Sequence, residues 1–334
     1  MTITVRQAGI QTTVQDLGRP GWQHAGVPVG GAMDQQAHRI ANLLVGNDRH
    51  TAALECALGG VAVQFATSAL VALTGRDITA SLDGTPIVAW RAFRLERGAL
   101  LAVHGGCRTT IAIAGGIDVP VVLDARGTSL RAGFGGWQGR ALRRDDVLPL
   151  GRPSPIAERI IAHLVSERCT FARWGAGPGL VPSYSAAPRV RIIAGPELSE
   201  LEPASRALLL SASFRIAPDS DRMGYRLAGH ALSLTQPREM LSSGVTAGTI
   251  QLPPGGAPIV LMADRQTTGG YPRLGDVMSA DLPLLAQLRP GDSVGFDLTS
   301  LDEAQRRWRQ VERDLTTAQR AIQLRFAAGT DGAC

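Results

Sequence analysis

Short apolar segments separated by tight turns recur at even spacing in the first third of the chain and constrain its fold most strongly. Between residues 52 and 118 these segments alternate with glycine-containing turns, and they cover residues 60–65, 69–73, 87–90, 100–103 and 109–113. Segments this short are typical of strands, and strands at this spacing indicate a barrel or a sandwich. The 39 glycines and 20 prolines of the chain also favour turn-rich β structure.

The chain length and an internal similarity indicate two domains. A chain of 334 residues is long for a single small domain. Residues 142–147 resemble residues 288–294, and each segment precedes a short apolar strand that closes a strand-rich half. We therefore predict a mainly β fold with a first domain over residues 1–189, including its connector, a second domain over residues 190–298, and a C-terminal helix and tail over residues 299–334.

Two helices are predicted from periodicity and capping residues. Residues 33–45 place apolar side chains on one face, with Asp34 as the N-cap and Gly46 as the C-cap. A C-terminal amphipathic helix covers residues 301–326, where Ser300 and Glu303 form a capping box. Its apolar positions repeat as in a heptad seam: Leu301, Ala304, Trp308, Val311, Leu315, Ala318 and Ile322. Packing on the chain's own barrel is the favoured interpretation, and a seam for a partner chain is the alternative.

The charge pattern argues against nucleic-acid binding. The formal charge is +5, but the basic residues are scattered and aromatic residues make up only 4% of the chain. Every basic residue is arginine, because the sequence contains no lysine. The chain therefore has neither a Schiff-base lysine nor a Walker-type phosphate lysine, and anions must be bound by arginine or by backbone N–H groups.

The cysteines and the apolar segments predict a soluble, cytoplasmic protein without membrane contact. The four cysteines, Cys56, Cys107, Cys169 and Cys334, have neither paired nor metal-ligand spacing, which favours a reducing compartment. No segment approaches eighteen uninterrupted apolar residues, and the first residues alternate like a strand rather than like a signal peptide.

Residues 258–276 deliver polar side chains at the end of a predicted strand. The apolar run 259–262 is followed at once by Asp264, Arg265, Gln266, Thr267 and Thr268, and then by the pair Gly269-Gly270. Glycines permit backbone conformations and close approaches that a Cβ forbids. A turn needs glycine but not these polar neighbours, so the stretch is a candidate site; a hairpin loop with satisfied polar groups is the alternative.

A second candidate lies near the N-terminus, where residues 12–34 form a long loop rich in glycine and proline. Loops of this length are more often functional than not. This one carries Gln15, Asp16, Arg19 and His24. His24 has no patterned histidine, cysteine or carboxylate partner, so no metal site is predicted. The lone Glu55 in an apolar stretch either pairs with an arginine, which is favoured, or lines a pocket.

Several common catalytic motifs are absent. The sequence has no lysine-containing phosphate loop, no Gly-x-Ser-x-Gly elbow, no His-Glu-x-x-His motif and no dinucleotide fingerprint between a strand and a helix. The polar loops suit an amide or urea-like group, since a carboxylate accepts its N–H while glutamine, tyrosine and arginine hold its oxygen.

Four motifs carry a resemblance to a known family. They are TVQDLGRPG at 13–21, GVPVGGAMD at 26–34, SDRMGYR at 220–226 and ADRQTTGGYP at 263–272. In this order they resemble the 5-oxoprolinase C-subunit family, also called the KipI antagonist or allophanate hydrolase subunit 2 family. That family includes the carboxyltransferase domain of urea carboxylase. The resemblance extends from about Thr2 to Phe296.

The resemblance implies two tandem cyclophilin-like β-barrel domains with a few short helices and a site in the cleft between them. The residues implied to carry the chemistry come from the second domain: Asp264, Gln266 and Tyr271. The implied substrate-binding residues are Arg222, Thr268 and Gly269 of the second domain, and Gln15, His24, Gly30 and Gly31 of the first.

The resemblance also implies partners and a co-substrate. With a KipI-like B subunit of 5-oxoprolinase, the chain would use ATP, together with Mg²⁺, to activate the lactam carbonyl of 5-oxoproline, and the A subunit would complete ring opening to L-glutamate. One alternative is a carboxyltransferase component that moves a carboxyl group from biotin to a urea-like amide; without lysine, no biotin is covalently attached to this chain. The other is a non-catalytic regulatory protein that binds a KipI-like partner, for which the heptad helix offers a surface.

Overall fold

A computed structural model describes residues 1–327, in two compact units. The first unit contains Met1–Gly18, Asp34–Val181 and the residues from Glu312 onward, and the second contains Arg19–Met33 and Pro182–Val311. The predicted domain boundaries at 189 and 298 stay predictions, because units defined by contacts do not test independent folding. The predicted tail beyond residue 327, with Cys334, lies outside the described residues.

The first unit is built from two antiparallel sheets. Its elements are β1 (Thr2–Ala8), β2 (Gln11–Gln15), α1 (Gln35–Leu44), β3 (Ala53–Ala57), β4 (Val61–Phe65), β5 (Ala69–Thr74), β6 (Thr79–Leu82), β7 (Thr85–Pro86), β8 (Ala92–Leu95), β9 (Leu100–Gly105), β10 (Arg108–Ile113), β11 (Val147–Pro149) and α2 (Pro155–Ser166). One sheet has the order β11-β1-β4-β9-β6-β7 and the other β2-β3-β10-β5-β8. Alternate residues of both sheets, such as Val5 and Leu54, are fully buried in one shared core.

The strand predicted over residues 87–90 is wrong, because this segment is a turn and the strand follows it as β8. Trp90 has a φ of 63°, which no strand residue adopts. Its backbone N–H donates to the Leu73 carbonyl at 2.8 Å, and its indole N–H donates to the Gly75 carbonyl at 3.2 Å. Local packing of the tryptophan therefore replaces strand pairing in this apolar segment.

The predicted N-cap of α1 is confirmed, whereas the C-cap is Val45 and the predicted Gly46 follows it. The Asp34 carboxylate accepts a hydrogen bond from the Ala37 N–H at 2.9 Å, as an N-cap does. Gly46 has a φ of 75° and donates to the Leu43 carbonyl at 3.0 Å. A Cβ at Gly46 would lie 2.8 Å from the backbone nitrogen of Ala157 in α2, so glycine is required there.

The second unit contains a closed seven-stranded barrel. Its elements are β12 (Arg189–Ala194), α3 (Pro203–Ser211), β13 (Ser213–Ile216), β14 (Gly224–Ala228), β15 (Ser243–Gly244), β16 (Thr249–Gln251), β17 (Ile259–Leu261), β18 (Thr268–Gly269), β19 (Arg273–Val277), α4 (Leu282–Ala286) and β20 (Ser293–Thr299). The barrel order is β12-β19-β16-β17-β14-β13-β20. The strands β15 and β18 form a separate two-stranded sheet, which we call the ribbon. The predicted mainly β fold is confirmed.

The last helix, α5 (Leu301–Arg325), confirms the predicted C-terminal helix, and its packing on the chain's own barrel stays a prediction. The Ser300 hydroxyl accepts from the Glu303 N–H at 3.2 Å, whereas the Glu303 carboxylate accepts from two arginines of the next turn. On the apolar stripe, Leu315 is fully buried. Among the described residues, none of the helices combines the length and the apolar character that a membrane span requires.

One histidine of α1 is buried in a neutral form. His38 is 1% exposed, and the Asn42 amide nitrogen lies 3.1 Å from its ring Nε2. Burial lowers the pKa of His38 to about 4, although Asp16 and Glu55 nearby act to raise it. At neutral pH the His38 ring is therefore uncharged in the folded chain.

We predict that His38 makes the chain less stable in mild acid. The unfolded chain, in which a histidine pKa is near 6.5, takes up the proton before the folded chain does. Stability is then complete above pH 6.5 and is lost as the pH falls towards 4, with a loss of about 2 kcal/mol from this group at pH 5.

The measurement is the free energy of unfolding in urea at pH 7 and pH 5. His38→Gln should lose less stability than the wild type between these two values, by about 2 kcal/mol. The matched control is His50→Gln at an exposed position, which should follow the wild type. An unchanged pH dependence in His38→Gln would contradict the assignment.

Candidate functional site

The candidate site is built on the loop that follows β17. Residues 262–272, which we call the site loop, begin at Met262, which is 3% exposed and fixed in the barrel core. Two residues further along the loop, the Asp264 N–H donates to the Arg222 carbonyl at 2.8 Å. Polar side chains are therefore delivered at the end of a buried strand, as the sequence predicted.

A two-bond ion pair holds the start of the site loop. The Arg222 Nε and NH2 groups donate to the two carboxylate oxygens of Asp264 at 2.8 and 2.9 Å. The same guanidinium donates to the Gly31 carbonyl at 2.6 Å. The side chains of Arg222 and Asp264 are only 5% and 14% exposed, so water competes little with the pair. Asp264, predicted to be catalytic, thus has both oxygens engaged in holding the loop.

The Gly30-Gly31 turn lies against this ion pair. The Gly30 N–H donates to the Ala263 carbonyl at 3.2 Å, and both glycines have positive φ values of 64° and 84°. A Cβ at Gly30 would be 3.6 Å from both the Arg19 guanidinium and the Asp264 carboxylate. The predicted residues Gly30, Gly31, Arg222 and Asp264 therefore come together in the second unit, with Arg19 beside them.

The rest of the site loop carries polar groups that are available to a ligand. Tyr271 is 44% exposed, Thr268 is exposed and Gln266 is half-buried. Among residues 1–327, none of these three side chains has a hydrogen-bond partner. Gly269 lies in the ribbon opposite Ser243, and a Cβ there would be 2.4 Å from the Gln251 amide nitrogen. Any larger residue at position 269 would displace Gln251.

The other two predicted site residues lie elsewhere. Gln15 is fully buried in the first unit, where its amide nitrogen donates to the Thr13 hydroxyl and to the Thr128 carbonyl. Its amide oxygen is buried without a partner among the described residues. His24 is exposed on a short 3₁₀ turn, where its ring nitrogen lies 2.7 Å from the Gly21 carbonyl. Its contacts in the described structure do not include the site loop.

Two further expectations concern charged and metal-binding groups. Glu55 pairs with Arg108 at 3.2 Å, which confirms the favoured ion pair. Among residues 1–327, no three histidine, cysteine, aspartate or glutamate side chains are grouped as metal ligands.

Three further residues lie beside the site: Arg19 and Arg265, which the sequence analysis placed in the two candidate loops without a role, and Gln251, which it did not indicate. Arg19 and Arg265 stand inside the family motifs, but nothing in their spacing distinguishes a buried cation from a surface one. Nothing in the sequence indicated that Gln251 is buried, because a single glutamine in a short strand is typical of a solvent-facing position. The structure shows it 1% exposed and directly beneath Gly269.

The chain is similar to known proteins over most of its length. The family model of the carboxyltransferase domain, subdomain A and B, matches residues 25–298. The chain is 40% identical over 307 residues to the 5-oxoprolinase C subunit of Escherichia coli (strain K12), and the match covers 90% of this chain and 93% of that protein. It is 34% identical to the 5-oxoprolinase C subunit of Haemophilus influenzae, over 93% of this chain and 96% of that protein.

A solved structure extends the comparison to the fold. The crystal structure of the K. lactis urea amidolyase superimposes with a TM-score of 0.84 and 26% identity, over 96% of this chain but only 20% of that one. The chain belongs to the carboxyltransferase domain family, which confirms the family predicted from its motifs. Within it, the chain is similar over nearly its whole length to proteins named as the C subunit of 5-oxoprolinase.

We predict that the Arg222–Asp264 pair is a main determinant of local stability. Arg222→Ala leaves a largely buried carboxylate without its partner and should cost about 3–5 kcal/mol in the free energy of unfolding. The control, Arg226→Ala, breaks a pair with Asp219 in which both side chains are more than half exposed, and it should cost at most about 1 kcal/mol. The measurement is the free energy of unfolding of both variants in urea. Equal losses of stability would show that the Arg222–Asp264 pair does not hold the site loop.

Proposed function

We propose that the chain is the C subunit of an ATP-dependent 5-oxoprolinase and that it acts with the B and A subunits of that enzyme. The observation that carries this proposal is the 40% identity to a protein named as a 5-oxoprolinase C subunit, spread over 90% of this chain and 93% of that protein. By contrast, the urea amidolyase of K. lactis is matched over one fifth of its chain. A relationship over nearly the whole of both chains supports the oxoprolinase reaction more directly than one domain of a larger enzyme does.

The proposed chemistry begins with activation of the lactam. The carbonyl oxygen of 5-oxoproline attacks the γ-phosphorus of ATP, a new O–P bond forms, and the bond from that phosphorus to the bridging oxygen breaks to release ADP. The phosphoryl group is then on the former lactam oxygen, and the ring carbon of this imidate phosphate accepts water more readily than the amide carbon does. The C–N bond breaks and the nitrogen takes up a proton, which gives γ-glutamyl phosphate. With the A subunit, a second water displaces phosphate from that carbon and gives L-glutamate. Mg²⁺ would accompany the nucleotide, and the phosphates would be held by arginine, by backbone N–H groups or by the B subunit.

The roles of the site residues follow from their hydrogen-bonding groups. Gln266 and Tyr271 supply an amide N–H and a phenol O–H, which hold and orient the lactam carbonyl oxygen for its attack on the γ-phosphorus. The Arg222–Asp264 pair holds the loop that carries them. The proposed substrate-binding set keeps Thr268 and Gly269 with Gly30, Gly31, Gln15 and His24.

A second candidate function is carboxyl transfer. It is favoured by the name of the matching family model and by the TM-score of 0.84 to a urea amidolyase. Because this chain has no lysine, the biotin would have to be carried by another protein. The same donors would then hold the oxygen of a urea-like acceptor.

The test is reconstitution with the proposed partners. The chain is purified with the B and A subunits, and ATP-dependent release of glutamate from 5-oxoproline is measured with each protein omitted in turn. The proposal expects activity only when all three proteins are present. If the proteins are folded and associated but release no glutamate, the oxoprolinase function is rejected in favour of carboxyl transfer.

We predict that Gln266→Ala lowers kcat/KM of the reconstituted enzyme by about 100-fold, because one of the two groups that orient the lactam oxygen is lost. The urea midpoint should stay unchanged, since this side chain makes no hydrogen bond within the described chain. The control is Gln305→Ala on the exposed face of α5, which should leave both quantities unchanged. Wild-type turnover by Gln266→Ala would remove this residue from the site.

A further inference from the structure

One half-buried arginine of the site loop has no acidic partner among the described residues. Arg265 follows the anchored Asp264, and its guanidinium reaches two backbone carbonyls, those of Val245 and Met262, each at 3.4 Å. Both distances exceed the 2.7–3.2 Å of well-formed N–H···O bonds. Within the part of the chain that the structure describes, no carboxylate lies at ion-pair distance from Arg265. Its NH2 group has no partner there either.

Other partly buried arginines of the second unit are paired. Arg222 has Asp264, and Arg191 donates two bonds to the buried carboxylate of Asp281. Because Asp264 already gives both of its oxygens to Arg222, it cannot neutralise its neighbour in the same way. Burial lowers the pKa of Arg265, whereas Asp264 raises it. A guanidinium nevertheless stays protonated in proteins, so a cation with spare donors remains in the loop.

The surroundings of Arg265 have an excess of donors as well. The Gln251 side chain is 1% exposed, and its amide nitrogen has no partner among the described residues. That nitrogen would be the nearest atom to a Cβ at Gly269 of the ribbon, at 2.4 Å, with the amide oxygen at 3.3 Å. The ribbon in turn continues into Val245, whose N–H donates to the Thr267 carbonyl and whose carbonyl accepts from Arg265. The remaining donors of Arg265 fit a ligand that offers acceptor atoms.

We propose that Arg265 binds the carboxylate of the substrate and so selects an anionic lactam over a neutral amide. A guanidinium presents parallel N–H groups that match two carboxylate oxygens, and it has the unused donors to do so here. The inference rests on the proposed function, because 5-oxoproline carries a carboxylate while urea does not. In this arrangement Gln266 and Tyr271 donate hydrogen bonds to the lactam carbonyl oxygen. Arg265 binds the carboxylate of the same substrate.

The experiment compares two ligands that differ only in the carboxylate. Calorimetry measures the Kd of the assembled complex, without ATP, for 5-oxoproline and for 2-pyrrolidinone. The wild type should bind 5-oxoproline about 10- to 100-fold more tightly, as expected for hydrogen bonds to a charged group. Arg265→Gln keeps a donor for the backbone carbonyls but removes the charge, and it should reduce the ratio of the two Kd values to about 1. Arg226→Gln, at an exposed position of β14, should keep the wild-type ratio.

Three results would overturn the proposal, and they are distinguishable. If Arg265→Gln keeps the wild-type ratio while the wild type releases glutamate, Arg265 is not the carboxylate site although the proposed function stands. If Arg265→Gln weakens ATP binding but keeps the wild-type ratio of the two Kd values, Arg265 binds a phosphate group of ATP instead. If the wild-type complex neither binds 5-oxoproline nor releases glutamate, the proposed function fails, and the role of Arg265 fails with it.

Discussion

The bidentate pair between Arg222 and Asp264 is the interaction on which the site depends. It joins the segment before β14 to the end of β17, and through the Gly31 carbonyl it also fixes a turn from the N-terminal part of the chain. The partners are far apart in sequence, since 191 residues separate Gly31 from Arg222. Because the pair is largely shielded from water, loss of either member leaves a charge that the protein cannot solvate. With the pair intact, the site loop presents its remaining polar groups in one conformation.

The ion pairs described above use arginine as the cation, because the chain contains no lysine. A guanidinium cannot be neutralised by burial, so each one that leaves water needs acceptors. Arg108 meets this need with Glu55, and Arg191 meets it with Asp281. Arg265 makes only two long bonds to carbonyls, and the carboxylate that we propose for it would be its anionic partner.

Much of the fold was predictable because it depends on local patterns. Short apolar runs indicated most strands, and Asp34 and Gly46 marked the ends of α1 through hydrogen bonds that span only a few residues. The segment 87–90 failed because its apolar side chains pack in a turn, where Trp90 takes a positive φ that periodicity cannot reveal. Which sheet a strand joins is decided by partners distant in sequence, and no local pattern carries that information.

The site was predictable in part for the same reason. The motif at 263–272 marked the loop, and the family resemblance grouped Arg222, Asp264, Gly30 and Gly31, which the structure brings together. No sequence signal distinguished Arg265 from the paired arginines or placed Gln251 beneath Gly269, since both facts depend on burial and on the ribbon. The catalytic and substrate-binding roles themselves remain proposals.

The most direct test of the proposed reaction follows the oxygen of the lactam. If ATP activates the lactam, the carbonyl oxygen of 5-oxoproline becomes bonded to the γ-phosphorus and leaves with phosphate when the activated carbon is hydrolysed. The complex is therefore supplied with 5-oxoproline labelled with ¹⁸O at that carbonyl, and the phosphate is analysed by mass spectrometry. The proposed reaction predicts ¹⁸O in the phosphate only when this chain is present. Phosphate free of ¹⁸O, formed together with glutamate, would contradict it.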